Sequence, residues 1–262
     1  MLTVLSPAKS LDFDSRPATG KFSQATLAED TDTLVEVMRD KSPAELQQLM
    51  GISPALAELN HERFVDFERP FTAKNARAAL LAFSGDVYRG MDAPGTFDAR
   101  DFTQAQKVVR ILSGLYGVLR PLDLIQPYRL EMGTRLATDR GSDLYQFWGS
   151  KITDELNAAM AVSPGAAALV NLASNEYFGA VCEEKINGTV VHPAFLDEKS
   201  GEYKIISFYA KVARGAMAGW IVAERVKTIR ALPEFDRLGY RFDPERSTRL
   251  RPVFVRPASA VV

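Results

Sequence analysis

Residues Leu46 to Ala57 read LQQLMGISPALA, two helical patterns joined by a very tight turn. Leu46, Leu49 and Met50 lie at helical spacing, and Leu56 and Leu59 resume it after the break. Gly51 accepts the positive φ that ends a helix. Ser53 is a good N-cap, and Pro54 fits the first helical position, where its missing N–H costs nothing. Two readings of the turn are open. One is a plain αα-hairpin that only packs. The other is a helix-hairpin-helix over about 43–60, whose backbone N–H groups around Gly51, Ile52 and Ser53 hold a phosphate without reading bases.

The chain has 262 residues, 46% hydrophobic and 25% charged, enough for a large core in one large or two small domains. A net charge of -1 excludes a global positive field. The distribution is uneven. From Lys204 to the C-terminus there are 12 Lys and Arg against 5 Asp and Glu, so the preceding chain is acidic. This asymmetry fits an anionic partner, and it fits solvated surface charge equally well. A single cysteine, Cys182, excludes an internal disulfide and a one-chain Cys-rich zinc or iron–sulfur site. The two histidines, His61 and His192, lack metal-ligand spacing, so neither a metal nor another cofactor is expected. Residues 1–7 lack a basic region followed by a long apolar run, and no apolar stretch approaches the roughly 18 residues of a membrane span. A cytoplasmic protein without membrane contact is the expectation.

Leu2 to Leu5 reads as a buried first strand stopped by Ser6-Pro7. Helical patterns follow over Leu27–Asp40, over the hairpin, and over Ala73–Phe83 with Thr72 as N-cap. Asp101–Leu112 reads as another helix. Ser142 caps a long one running through Trp148, Ile152 and Leu156. Ala167–Leu172, Thr189–Phe195 and Tyr203–Phe208 read as strands, the last two flanking a turn at Asp197–Gly201. A helix follows over about Tyr209–Val226, and Gly239–Phe242 with Pro252–Val255 forms a last antiparallel pair. There is no repeat and no linker. Strands and helices mix without strict alternation, so a single mixed α/β (α+β) domain over 1–262 is predicted, with a mixed sheet surrounded by helices rather than a regular doubly wound sheet.

Three clusters carry chemistry. On the basic helix, Lys211, Arg214 and Arg225 fall within one stripe, with Phe208, Val212 and Gly219 on the packing side. That pattern suits a phosphate backbone, and it also describes an ordinary solvated helix. In Gln126–Gly133, Arg129 is placed to grip a phosphate or carboxylate, or else to pair with Glu131 as a structural staple. In Asn171–Tyr177, polar residues gather where a buried strand ends; Ser174 and Asn175 are also ordinary caps for a helix starting at Glu176. Ser6–Lys9 ends another strand in the same manner. If the two strand ends adjoin, Lys9, Arg129, Glu176 and Lys211 line one cleft. Gly85–Gly90 has glycines near polar groups but lacks the order of a nucleotide fingerprint.

Several segments together resemble the YaaA family of bacterial peroxide-stress proteins. They are Leu5–Leu11, Gly85–Tyr88, Leu112–Asp123, Pro127–Gly133, Asp143–Trp148, Asn171–Tyr177 and Ile205–Lys211, in matching order from residue 1 to about 230. The resemblance implies a cytosolic protein induced under hydrogen peroxide and linked to lower free iron and less Fenton damage. It also implies DNA binding through a positively charged cleft and a helix-hairpin-helix on a mixed α/β fold. The opening motif matches that module at Leu46, Leu49, Gly51, Ile52 and Ala57, with Ser53 where many such hairpins have a second glycine. No established enzymatic activity comes with it.

The expectation is a monomer that binds double-stranded or structured DNA. Gly51, Ile52 and Ser53 would hold one phosphate run, and Lys9, Arg129, Lys211 and Arg214 would line the cleft. The alternative is an enzyme acting on a nucleotide or nucleoside, with Glu131 or Glu176 as general acid/base and Arg129 as phosphate anchor. Direct iron sequestration has little support, because His and Cys ligands are scarce.

Overall fold

The apolar run at the N-terminus forms β1 (Leu2–Leu5), buried over its whole length at the centre of a five-stranded sheet. The computed structural model describes residues 1–260. After β1 come α1 (Ala28–Arg39), α2 (Pro43–Met50), α3 (Pro54–Val65), β2 (Arg77–Ala78), α4 (Ala79–Ala82), α5 (Asp86–Met91) and α6 (Ala93–Thr96). α7 (Ala99–Val108) runs straight into β3 (Val109–Ser113), followed by β4 (Gly117–Leu119) and β5 (Leu124–Ile125). α8 (Leu144–Trp148) and α9 (Lys151–Val162) lead to β6 (Ala168–Asn171) and α10 (Asn175–Phe178). The last part holds β7 (Thr189–Val191), β8 (Ala194–Lys199), β9 (Glu202–Lys204), α11 (Ser207–Ala223), β10 (Arg241–Phe242) and β11 (Val253–Arg256).

The central sheet has the order β4-β3-β1-β6-β7. β3 and β6 flank β1 in parallel, β7 runs parallel to β6, and β4 returns antiparallel to β3. A second sheet, β10-β11-β8-β9, is held by Asp197, which is fully buried. Asp197 accepts from Arg256 at 2.6 Å and from the Tyr240 hydroxyl at 2.8 Å. β2 and β5 form a third, two-stranded sheet among the described residues. The fold is the mixed α/β arrangement that the pattern predicts.

Several boundaries differ from the sequence pattern, each for a tertiary reason. The segment Ala73–Phe83 is helical only over Ala79–Ala82. Thr72 and Asn75 close a turn instead, and the buried Arg77 side chain donates to Leu81 and Ser15 while its backbone pairs with Ile125. The helix expected over Asp101–Leu112 ends at Val108, because Val109 to Ile111 pair with β1. The long helix from Ser142 is two helices, divided at Gly149 (φ 50), and Asp143 rather than Ser142 caps the first. His192 and Pro193 interrupt the strand over Thr189–Phe195, and α11 takes over at Ser207 from the strand expected to reach Phe208.

The opening motif folds as two packed helices. Ser42 and Glu45 form a reciprocal capping box at the start of α2, and Gly51 closes it in the left-handed region (φ 60). Ser53 Oγ accepts the Leu56 N–H at 3.4 Å. Leu46, Ala57 and Phe64 are buried in the common core.

Candidate functional site

β1, β3 and β6 run the same way, and beyond the C-terminal ends of β1 and β6 opens a cavity of about 620 Å³. β1 continues into Ser6–Ser10 and β6 into Leu172–Ser174, and both extensions line it. They are tied to each other. The Ser174 N–H donates to Ser6 Oγ at 2.8 Å, and the Leu172 N–H donates to the Val4 carbonyl at 3.0 Å. The Tyr88 hydroxyl donates to the Ser6 carbonyl at 2.9 Å, which draws the start of α5 onto the same rim.

The Tyr128–Glu131 segment is placed by the end of β3. Ser113 Oγ and the Tyr128 hydroxyl share a hydrogen bond at 2.6 Å. A Cβ on Gly114 would sit 2.3 Å from the Leu130 carbonyl oxygen, so only glycine lets this segment lie so close. Arg129 Nη2 and Lys9 Nζ then meet one oxygen, Glu131 Oε1, at 3.0 Å and 2.9 Å. Arg129 and Glu131 thus form the ion pair that the sequence allows, and both also line the cavity. The Nε–H of Arg129 is buried without a partner. Glu176 Oε1 accepts the Gly133 N–H at 3.0 Å.

Lys211 and Arg214 come from α11, which crosses α5 at very short range. A Cβ on Gly215 would lie 1.7 Å from the Val87 carbonyl oxygen, and one on Gly90 would lie 2.0 Å from that of Val212. This crossing sets the basic stripe beside Asp86, Tyr88 and Arg89, all at the cavity wall. Burial pushes the Arg214 guanidinium below its ordinary pKa, and no carboxylate among the described residues pairs with Arg214 or Lys211. Arg225 leaves the stripe to pair with Asp101 at 2.7 Å. Phe208, expected on the packing side, is 52% exposed, because the glycines carry the helix contact instead.

Five cations and three carboxylates line the cavity on a chain whose net charge is -1. Asp86 pairs with Arg89, and Glu131 serves Lys9 and Arg129, so Lys211 and Arg214 keep their charge available. Tyr88, Tyr128 and Tyr177 supply aromatic surface. Burial raises all three phenols above their ordinary pKa, so they stay neutral; for Tyr177 the neighbouring Tyr128, Glu176 and Glu131 add to the effect.

Of the candidate residues, Lys9, Arg129, Glu131, Glu176, Lys211 and Arg214 all line this one cavity. Gly51, Ile52 and Ser53 are not part of its wall. At the hairpin the Gly51 and Ile52 N–H groups go to the Gln47 carbonyl, and Pro54 has none to offer. The residues of Asp86–Arg89 were not among the candidates. Their signal is the polar run between Gly85 and Gly90, which lacks the order of a nucleotide fingerprint. The histidines are held elsewhere. His61 Nδ1 contacts the Lys41 carbonyl, and His192 lies between Asn171 and Glu183. Among the described residues no group of three or more His, Cys, Asp or Glu is disposed to hold a metal ion. Among the described residues no helix is long and apolar enough to cross a membrane.

The family model described as peroxide stress protein YaaA matches residues 1–246. A UPF0246 protein of Alcanivorax borkumensis is 53% identical over 257 residues, covering 98% of this chain and 99% of its own. A UPF0246 protein of Cellvibrio japonicus is 50% identical over 256 residues, 98% of each chain.

Proposed function

This chain belongs to the peroxide stress protein YaaA family, and we propose that it serves the peroxide stress response by binding DNA. The observation that carries this reading is the convergence of Lys9, Arg129, Lys211 and Arg214 on one cavity from three distant parts of the chain. Gathering cations is costly unless an anion compensates them. A phosphate backbone supplies such compensation in a repeating form. The α2–α3 turn serves as a second backbone contact outside the cavity, with Gly51, Ile52 and Ser53 against a phosphate. DNA held this way is shielded from iron-dependent peroxide damage. The protein works in the cytoplasm and needs no metal or other cofactor for binding.

Salt titration of duplex binding tests the reading. A protein that neutralises two phosphates with Lys211 and Arg214 loses on the order of 10-fold in affinity for a fourfold rise in salt, and one that also engages Lys9 and Arg129 on the order of 10²-fold. Lys211→Gln and the double variant Lys211→Glu, Arg214→Glu should weaken binding in that order, with folding checked by circular dichroism. Affinity that ignores salt, or a folded double variant that binds like the parent, refutes it.

A second reading, an enzyme acting on a nucleotide or nucleoside, draws on one observation. Glu131 and Glu176 lie in a cavity beyond the ends of parallel strands, where α/β sheets commonly do chemistry. In that reading Arg129 anchors the phosphate and one glutamate is the general acid/base. Loss of the base or phosphate from a nucleotide on incubation, abolished by Glu176→Gln, would favour it.

A further inference from the structure

We infer that the cavity takes a single nucleotide, its phosphate on Arg214 and Lys211 and its base and sugar against the tyrosine wall, while paired DNA stays outside across the mouth. The inference rests on the DNA-binding reading above and names what that site admits.

Size comes first. A cavity of about 620 Å³ falls in the roughly 300–1,000 Å³ range that encloses one small ligand, and no stretch of double helix enters such a space. Place comes second. The connections from β1 lead to β3 on one side and, further along the chain, to β6 on the other, so the strand order reverses at β1. Open α/β sheets bind ligands outside the carboxyl ends of the strands at such a reversal.

The division of charge within the wall is the third point. Glu131 already engages both Lys9 and Arg129, one carboxylate against two cations, and Asp86 engages Arg89. Glu176 keeps its charge and accepts the Gly133 N–H, and among the described lining cations only Lys211 and Arg214 lack a carboxylate partner. That is one anion's worth of attraction at one helix, which suits one phosphate group. The wall also carries an apolar and aromatic part, Pro7, Leu130, Leu172, Tyr88, Tyr128 and Tyr177, beside serine hydroxyls and Glu176. The half-buried Tyr177 offers stacking surface, with the buried Tyr88 and Tyr128 behind it, and stacking tolerates any base. Finally, the buried Nε–H of Arg129 has no partner, and native proteins rarely leave such a donor unmet unless a ligand or water completes it.

Two sources supply this chemistry, a free nucleotide and an unpaired nucleotide within a DNA strand. Calorimetry on the full chain with dAMP, deoxyadenosine and inorganic phosphate tests the pocket directly. The expected result is dAMP binding at least tenfold tighter than either fragment. Arg214→Gln should abolish it, and Arg214→Lys, which keeps the charge but loses the planar fork, should weaken it less. The comparison of wild-type ligands stands even if a variant fails to fold. In a second arm, dAMP competes against labelled DNA that is fully paired or carries one unpaired nucleotide. Selective displacement from the unpaired substrate identifies the DNA strand as the source, and dAMP binding without displacement identifies the free nucleotide; both support the pocket. Phosphate binding as tightly as dAMP, or no dAMP binding while duplex still binds with a steep salt slope, overturns this inference and leaves the DNA reading standing. Loss of duplex and nucleotide binding alike overturns both.

Discussion

Ser6 and Ser174, 168 residues apart, close the ends of two adjacent parallel strands: the Ser174 N–H donates to Ser6 Oγ at 2.8 Å. This bond fixes the floor of the cavity, because each serine continues into a stretch of its wall. Ser6→Ala leaves the Ser174 N–H without that acceptor. We expect a loss of about 1 kcal/mol in urea unfolding, the ordinary net value of one hydrogen bond, with the salt slope of DNA binding unchanged.

The α5–α11 crossing sets a sharper test. In an isolated helix, Gly→Ala stabilises by up to about 1 kcal/mol. At Gly215 the added Cβ would meet the Val87 carbonyl at 1.7 Å, which is backbone and cannot yield like a side chain. Overpacking therefore wins, and Gly215→Ala should destabilise by about 1–3 kcal/mol or more in thermal melts. Gly20→Ala, with nothing within 4 Å of the new Cβ, should stay within about 0.5 kcal/mol of the parent.

Glu131 restrains the cleft. Glu131→Gln frees Lys9 and Arg129 from the shared carboxylate oxygen. DNA affinity at low salt should rise, and the slope of log K against log salt should steepen by up to about 2, one phosphate for each cation released. A weaker, shallower dependence would show that Glu131 positions these cations rather than masking them.

The hairpin is tested without disturbing its cap. Ser53→Asp keeps a good N-cap while placing a negative charge at the turn. If the turn touches a phosphate, repulsion of about 1 kcal/mol at ~4 Å in water lowers DNA affinity roughly fivefold. Affinity equal to the parent removes Gly51, Ile52 and Ser53 from the interface.

Asp30 predicts a pH dependence of stability. Burial alone would raise its carboxyl, but hydrogen bonds from Lys151 at 2.6 Å and Arg140 at 2.5 Å outweigh it and hold the group below 3.8. A folded value below the unfolded one means stabilisation that is complete above about pH 5 and lost as pH falls from the unfolded value through the folded one. Asp30→Asn should therefore cost about 1–3 kcal/mol at pH 7, and the gap to the parent should shrink below pH 4 in denaturation curves.

Local signals in the sequence were legible where the residues themselves impose the geometry. Ser42 with Glu45, Gly51 and Ser53-Pro54 define two helix ends by their own chemistry, and α2 and α3 form where the pattern puts them. Leu2–Leu5 is buried throughout, Thr3 included, because neighbours cover it on both faces. Boundaries failed where a partner far along the chain decided them. Val109 and Ile111 are β-branched, a weak strand preference that ends the helix only because the edge of β1 is there to pair with, and Arg77 breaks its helix to reach Ser15 and Ile125.

The sequence by itself determined the mixed α/β class, the two-helix turn, the basic C-terminal part and the residue types in each cluster, since these follow from composition and short-range spacing. Only the tertiary structure decided that Lys9, Arg129, Glu176, Lys211 and Arg214 share one cavity and that the hairpin stands outside it. It also decided which charges are already spent: Glu131 holds Lys9 and Arg129, whereas Arg214 stays unpaired. The physical reason is that the shared cavity, the Lys9–Glu131 pair and the burial of Arg214 depend on distances between segments more than a hundred residues apart. Those distances are set by parallel strand register and by glycine contacts such as Gly215 against Val87, which leave no local pattern in the chain.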